Sequence, residues 1–143
     1  MLRIKKRAFL VVPSDLEAWQ MPERYENAMT DHVECDPTVF LLPCSIDLIP
    51  HIGEKVTFTG MVVMEEFVVA EIMYWQDKKS GITVRIMLQQ IGEERRQLNE
   101  HVLVSASEEG FLFEDEVPIS KVLRKAGLPT TRKGLEKVGK TLK

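Results

Sequence analysis

Hydrophobic residues in the middle of the chain recur at every second position, the spacing that is typical of β-strands. Three strands are predicted there, over residues 56–64, 67–75 and 82–89. The third is the clearest, because the even-numbered residues from Ile82 to Leu88 are all aliphatic. Asp77 to Gly81 supplies turn-forming residues between the second and third strands.

Shorter apolar runs predict further elements on both sides of these strands. On the N-terminal side they are a strand at 8–12, a helix that begins near Asp15 and is split or ended by Pro22, and an edge strand at 38–42. The helix start rests on a capping box of Ser14 and Glu17. On the C-terminal side a polar helix is predicted at 91–100, with strands at 101–106 and 110–113.

Beyond Pro118 the hydrophobic period becomes helical. The apolar residues Ile119, Val122, Leu123 and Ala126 follow the i, i+3, i+4, i+7 spacing of one helix face. Gly127 is a suitable helix end, and Thr131 can cap a second helix that carries Leu135, Val138 and Leu142 on one side. The chain is therefore predicted to be α+β, with a small five-stranded barrel-like sheet, an N-terminal strand and helix, and a C-terminal pair of short basic helices.

The segment 53–114 resembles the oligonucleotide/oligosaccharide-binding barrel, or OB-fold, in its order of strands and helix. The residues that carry the resemblance are Gly53 to Val62, then Phe67, Ala70 and Ile72, then Asp77 and Gly81 to Ile86. Proteins of that fold bind ligands across the second and third strands. The resemblance implies a ligand face formed by Met61, Met73, Trp75, Arg85 and Met87. Base stacking on Trp75 is one use of this face; burial or a protein interface is the other.

Charge is sorted along the chain, which changes the picture more than its ordinary composition does. Residues 117–143 hold eight basic residues and one acidic one, a net of +7, and residues 1–7 add four cations. Residues 8–116 carry 7 basic and 21 acidic residues, a net of −14. We therefore divide the chain into an acidic β-rich body (1–116, barrel-like from 52) and a basic helical segment (117–143).

These charges indicate binding partners. An acidic body repels nucleic acid and suits a protein partner, whereas the basic segment attracts phosphate or an acidic surface. The predicted contacts are Lys121, Arg124, Lys125, Arg132, Lys133, Lys137 and Lys140 in the basic segment, with Trp75, Arg85, Met73 and Met87 on the sheet face. In size and charge plan the chain resembles small phage-encoded proteins that bind RNA polymerase and redirect transcription. That resemblance implies a non-enzymatic regulator of RNA polymerase or another nucleic-acid machine.

Two alternatives stay open. The first is an OB protein that binds single-stranded nucleic acid directly through Trp75 and Arg85. The second is a hydrolase or transferase, although the sequence contains no G-x-S-x-G, H-E-x-x-H or dinucleotide glycine motif. No cofactor is predicted, and the sequence does not indicate an oligomeric state.

Two further motifs have competing interpretations. Gly134 to Thr141 spells the phosphate-loop pattern G-x-x-x-x-G-K-T, but a helical stripe runs through it and only two residues follow, so we predict a helix there. His32, Cys35, Cys44 and His51 are four potential zinc ligands in an unusual spacing. The alternative for them is two buried thiols and two surface histidines.

The sequence also predicts the protein's surroundings. Two cysteines make no disulfide framework, and no apolar run reaches the ~20 residues that a membrane-spanning helix needs, so a cytoplasmic location is expected, in the host cytoplasm if the protein is phage-encoded. Two asparagines and an excess of 16 Glu over 6 Asp favour a host that lives at high temperature.

Overall fold

The alternating segments form one five-stranded sheet in the computed structural model, which describes residues 6–13, 22–32, 39–58, 66–77, 81–91 and 99–141. The strands are β1 (Lys6–Pro13), β2 (Val39–Cys44), β3 (Lys55–Thr57), β4 (Glu66–Asp77) and β5 (Gly81–Gln90). Their order across the sheet is β2-β1-β5-β4-β3. β1 runs parallel to β5 and every other pair is antiparallel, so the sheet is mixed. It is curled into a half-barrel, and the predicted α+β architecture is confirmed.

Strands β1 and β2, on one side of this sheet, come from the N-terminal part of the chain. β1 confirms the strand predicted at 8–12, and β2 confirms the edge strand at 38–42. β3 covers the start of the predicted strand 56–64, and residues 59–65 lie outside the described residues.

A β-bulge in β4 decides which side chains face the core. Val69 pairs with Leu88, but the next pair is Glu71 with Met87, so Ala70 is the extra residue. The bulge moves the core positions from odd to even numbers, and Val69 and Ile72 therefore lie on one face of the sheet. A strict alternation places Ala70 on the core side of β4, but in the structure it is exposed.

Four helices accompany the sheet: α1 (Glu23–Thr30), α2 (Asn99–Glu108), α3 (Ile119–Lys125) and α4 (Arg132–Thr141). α1 begins directly after Pro22, which stands at its N-cap position. Proline suits a helix start because the missing N–H would have no helical partner there. The helix that was predicted to begin near Asp15 lies outside the described residues up to position 21, so the prediction that Pro22 splits or ends it stays a prediction. The capping box at Ser14 lies outside the described residues.

The strand predicted at 101–106 is wrong, because these residues belong to α2. Every residue from Val102 to Ser107 is buried, so the helix shows no polar face from which a helical period could be recognised. A short apolar run that is buried on all sides has the same appearance in a strand and in a helix. Of the helix predicted at 91–100, residues 92–98 lie outside the described residues.

The strand predicted at 110–113 is not part of the sheet: Gly110 lies in a turn with φ +87°, and Leu112 forms only isolated bridges. Leu112 pairs with Leu41 and with Pro118. On either side of it, Phe111 and Phe113 are buried in the main core. The segment therefore serves as a lining of the core. The five strands of the sheet include β1 and β2, and do not include the segments 101–106 and 110–113.

α3 and α4 confirm the predicted pair of short basic helices. Gly127 has φ +74°, the left-handed conformation expected of a glycine that ends a helix. Thr131 caps α4, since its Oγ1 accepts a hydrogen bond of 3.1 Å from the Gly134 N–H. The phosphate-loop pattern lies inside α4, as predicted, and thus lacks the loop that would cradle a phosphate.

The main hydrophobic core contains side chains from both charge segments. Phe40, Phe67, Phe111 and Phe113 are almost fully buried in it. Further buried members, Ile119, Val122, Leu123 and Leu128, belong to the basic segment. The division of the chain at residue 116 remains a prediction, and its physical test is a truncation experiment.

Candidate nucleic-acid interface

α3 displays three of the predicted basic contacts. Its apolar residues Ile119, Val122 and Leu123 are buried, which fixes the orientation of the helix on the core. Lys121, Arg124 and Lys125 occupy the remaining positions and are exposed. The helix is thus a rigid support for three cations, which lowers the entropy cost of placing them against phosphates.

α4 continues this basic surface. Lys133 and Lys137 are exposed and lie four residues apart on the helix, while Leu135 packs against the main core. Lys140 belongs to the last turns of α4, and its side chain lies outside the described residues. We call the five exposed cations Lys121, Arg124, Lys125, Lys133 and Lys137 the basic face.

Arg132, at the start of α4, forms contacts with α2 within the protein. It forms ion pairs with Glu108, through Nε, and with Glu109, whose Oε1 lies 2.9 Å from Nη2. The hydrogen bond to Glu108 raises the pKa of Arg132 above its ordinary value. These contacts join the start of α4 to the end of α2. Acidic residues that are adjacent in sequence are usually solvated, and the sequence gave no sign of this partner.

Replacing Arg132 by glutamine is expected to lower the free energy of unfolding by at most about 1 kcal/mol. The effect is small because the arginine side chain is 41% exposed, so water and ions screen both pairs. Urea unfolding in low salt and in molar salt measures it: the loss should shrink in high salt, where the Debye length is only about 3 Å. A loss that is large and independent of salt would contradict this assignment.

The four residues predicted on the sheet face are close together. Met73 pairs with Arg85 and Glu71 with Met87 across β4 and β5. The Arg85 guanidinium carbon lies 5.3 Å from the centre of the Trp75 ring, a cation–π distance. Trp75 is 41% exposed, whereas Met87 packs against the small buried cluster of Phe9, Val11 and Leu41. Of the four predicted residues, Trp75 is therefore the exposed one, and the other three are partly buried.

An acidic turn at Glu114–Glu116 ties three distant elements together. The Arg85 Nη2 donates to the Glu114 carbonyl at 3.2 Å, and the Arg7 Nη1 lies 2.5 Å from Glu116 Oε1. The His32 Nε2 lies 2.6 Å from Asp115 Oδ2, so β5, β1 and the end of α1 all reach this turn. A run of acidic residues is usually solvated, whereas all three residues of this turn are partly buried. Arg7 and Glu116 are 109 residues apart, a separation at which no local pattern can reveal the contact.

The backbone of the acidic turn is held as firmly as its side chains. Glu116 has φ +69°, a conformation that non-glycine residues rarely adopt. Its N–H donates to the Phe113 carbonyl at 2.9 Å, and the Phe113 N–H donates to the Val117 carbonyl at 2.9 Å. The Asp115 side chain accepts from the Val117 N–H at 3.2 Å. This network stabilises the turn and accounts for the unusual conformation of Glu116.

The potential zinc ligands take separate positions where the structure describes them. The His32 ring lies 5.5 Å from that of Phe113, and His51 is exposed in the turn before β3. Cys44 is partly buried at the end of β2, and burial raises the pKa of its thiol, which disfavours the thiolate that binds metals. Cys35 lies outside the described residues. Among those described, no group of three or more His, Cys, Asp or Glu side chains could hold a metal ion.

A half-open pocket of about 180 Å³ lies between the C-terminal ends of α1 and α3. Its lining residues are Ala28, Asp31, His32, Val122, Lys125 and Ala126. Lys125 belongs both to this pocket and to the basic face. The sequence contained no signal for the pocket, since the two helix ends are more than ninety residues apart.

Among the described residues, no helix has both the length and the apolar character needed to cross a membrane. Comparisons with models of known protein families, with curated proteins and with solved structures found no match for this chain.

Proposed function

We propose that the protein is a non-enzymatic regulator of a nucleic-acid machine in the cytoplasm, of the transcription type. Its basic face binds the phosphate backbone, and its acidic body binds a protein of the same machine, such as RNA polymerase. The observation that carries the proposal is the basic face itself: five exposed cations on two helices whose apolar sides are anchored in the core. Fixed cations at this density are a means of phosphate binding that does not depend on sequence.

The acidic body gives the proposal its second half. Residues 8–116 carry a net charge of −14, which repels nucleic acid from that part of the surface. A partner that already holds nucleic acid presents both protein and phosphate, and so suits both charge signs of this chain. Comigration of the protein with purified RNA polymerase in gel filtration is the expected result. Separate elution would overturn RNA polymerase as the partner.

A variant with all five cations of the basic face changed to glutamine is expected to lose most nucleic-acid affinity. Each phosphate contact contributes about 0.7 to the logarithmic salt slope on a single strand and about 0.9 on a duplex. The wild-type slope should therefore be roughly −4, equivalent to a loss of about 100-fold or more between 50 and 200 mM salt. Fluorescence anisotropy with a labelled oligonucleotide, measured over this salt range, tests both numbers.

The matched control separates the basic face from net charge. Arg124→Gln with Lys133→Gln removes one arginine and one lysine from the basic face, and Arg24→Gln with Lys55→Gln removes the same charges from the exposed surface of the acidic body. The first pair of substitutions should make the logarithmic salt slope less negative by about 1.4 to 1.8, and the second pair should leave the slope unchanged. Equal losses in the two double variants would contradict a localised basic face.

A specific observation supports a second candidate, direct binding of single strands on the sheet face. Trp75 is partly exposed at the end of β4 and lies against Arg85, and base–aromatic stacking is worth about 1–3 kcal/mol per base. Arg85 also donates to the Glu114 carbonyl, which commits it to the acidic turn. We therefore rank this candidate second. Trp75→Ala should leave oligonucleotide binding intact, and a loss larger than that of the five-site variant would reverse the ranking.

A further inference from the structure

The pocket between α1 and α3 is lined by one acidic and one basic side chain, whereas the basic face consists of cations alone. Asp31, at the C-cap of α1, provides a carboxylate that only accepts hydrogen bonds, and Lys125, on α3, provides an ammonium group that only donates them. Ala28, Val122 and Ala126 contribute the apolar part of the lining. A ligand that fits must therefore combine N–H donors, an apolar flat body and an anionic group.

The pocket lies next to the basic face, to which we assign the phosphate backbone of a bound strand. Lys125 is shared with the basic face, and Arg124 and Lys121 lie along the same helix. A strand whose phosphates follow the exposed cations of α3 would pass the opening of the pocket. A base turned out of that strand could enter while its phosphate stays on Lys125.

The size and shape of the pocket limit the ligand further. Its volume of about 180 Å³ is below the roughly 300–1,000 Å³ of sites for drug-sized ligands. This leaves room for one planar ring system. The His32 ring contributes a flat aromatic wall, and Asp115 and Phe113 fix its orientation from the other elements that it contacts.

We infer that this pocket binds one unpaired nucleobase that presents N–H donors, guanine above all. The Watson–Crick edge of guanine carries an imino N–H and an amino group side by side, which can donate two parallel hydrogen bonds to one carboxylate. Thymine has no such pair of donors. Asp31 is thus the residue that selects the base, and Lys125 binds the adjoining phosphate. This inference rests on the proposed function, because it makes the pocket a base-selective part of the basic face.

The test compares two strands and two single nucleotides on the intact protein. The two nucleic-acid strands are a thymine oligonucleotide and the same oligonucleotide with one central guanine. Their binding is measured by fluorescence anisotropy. The nucleotides are guanosine and thymidine 5′-monophosphate, followed through the NMR signals of the His32 ring. The chain has only 3 histidines, so a His32→Gln variant identifies these signals.

Wild-type protein is expected to bind the guanine-containing strand at least about fivefold more tightly, the lower limit for one bidentate base contact. Guanosine monophosphate should shift the His32 signals and thymidine monophosphate should not. Asp31→Asn should remove the preference while binding of the thymine strand persists. Glu23→Gln, the matched control, removes the same charge from the exposed first turn of α1 and should retain the preference.

The remaining outcomes separate the pocket from the proposed function. Equal binding of both strands, with His32 signals that neither nucleotide moves, overturns the pocket and leaves phosphate binding intact. A shift with guanosine monophosphate but no binding of either strand supports a nucleotide pocket and overturns the proposed function. A shift with argininamide in place of the nucleotide overturns the base assignment in favour of a basic side chain from a protein partner.

Discussion

Replacing Phe111 by alanine is expected to lower the free energy of unfolding by about 3–5 kcal/mol. Phe111 is 1% exposed, and its ring centre lies 6.1 Å from that of Phe40 and 6.2 Å from that of Phe58. Truncation would remove both aromatic contacts and leave a cavity at the centre of the core. Since domains of this size are stable by about 5–15 kcal/mol, the variant should be near the limit of folding.

Urea unfolding followed by circular dichroism measures this loss. Phe58→Ala serves as the control, because Phe58 belongs to the same aromatic cluster but is only partly buried, so its truncation should cost less. Phe111→Leu keeps most of the volume and should cost less than about 1.5 kcal/mol. Similar losses for Phe111→Ala and Phe58→Ala would contradict the central position of Phe111.

The segment from α2 to Phe111 was predicted less well from the sequence than strand β5 of the sheet. Strand β5 has an aliphatic residue at every second position because one of its faces lies in the core, and this pattern can be recognised without tertiary information. In α2, residues 102–107 are all buried and show no such pattern. The Phe111 N–H donates to the Ala106 carbonyl at 3.0 Å, which ends α2 and starts the extended lining of the core.

The candidate site was predictable to the extent that it depends on charge and helical period. The exposed cations of α3 follow directly from the spacing of Ile119, Val122 and Leu123, since the side opposite an apolar stripe faces water. The partners of Arg132, Arg7 and His32 depend on which elements the fold brings together. The spacing of residues along the sequence does not contain that information.

A chain that ends at Glu116 is expected to be unfolded in water. The truncation removes Ile119, Val122, Leu123 and Leu128 from the main core, all of them at most 8% exposed. Truncating one such side chain to alanine typically costs about 2–5 kcal/mol, so losing four costs about 8–20 kcal/mol, as much as or more than the roughly 5–15 kcal/mol that holds a domain together. Circular dichroism and urea unfolding of the shortened chain measure this result.

A chain that ends at Thr130 is the matched control, because it loses α4 and retains all four buried residues. It should still unfold cooperatively, at a lower urea concentration than the full chain. If the chain ending at Glu116 also unfolds cooperatively, residues 117–143 are a separate unit, as the charge division predicts. If it does not, a loss of nucleic-acid binding on truncation reports unfolding, and the basic face must be tested by substitutions at its exposed cations.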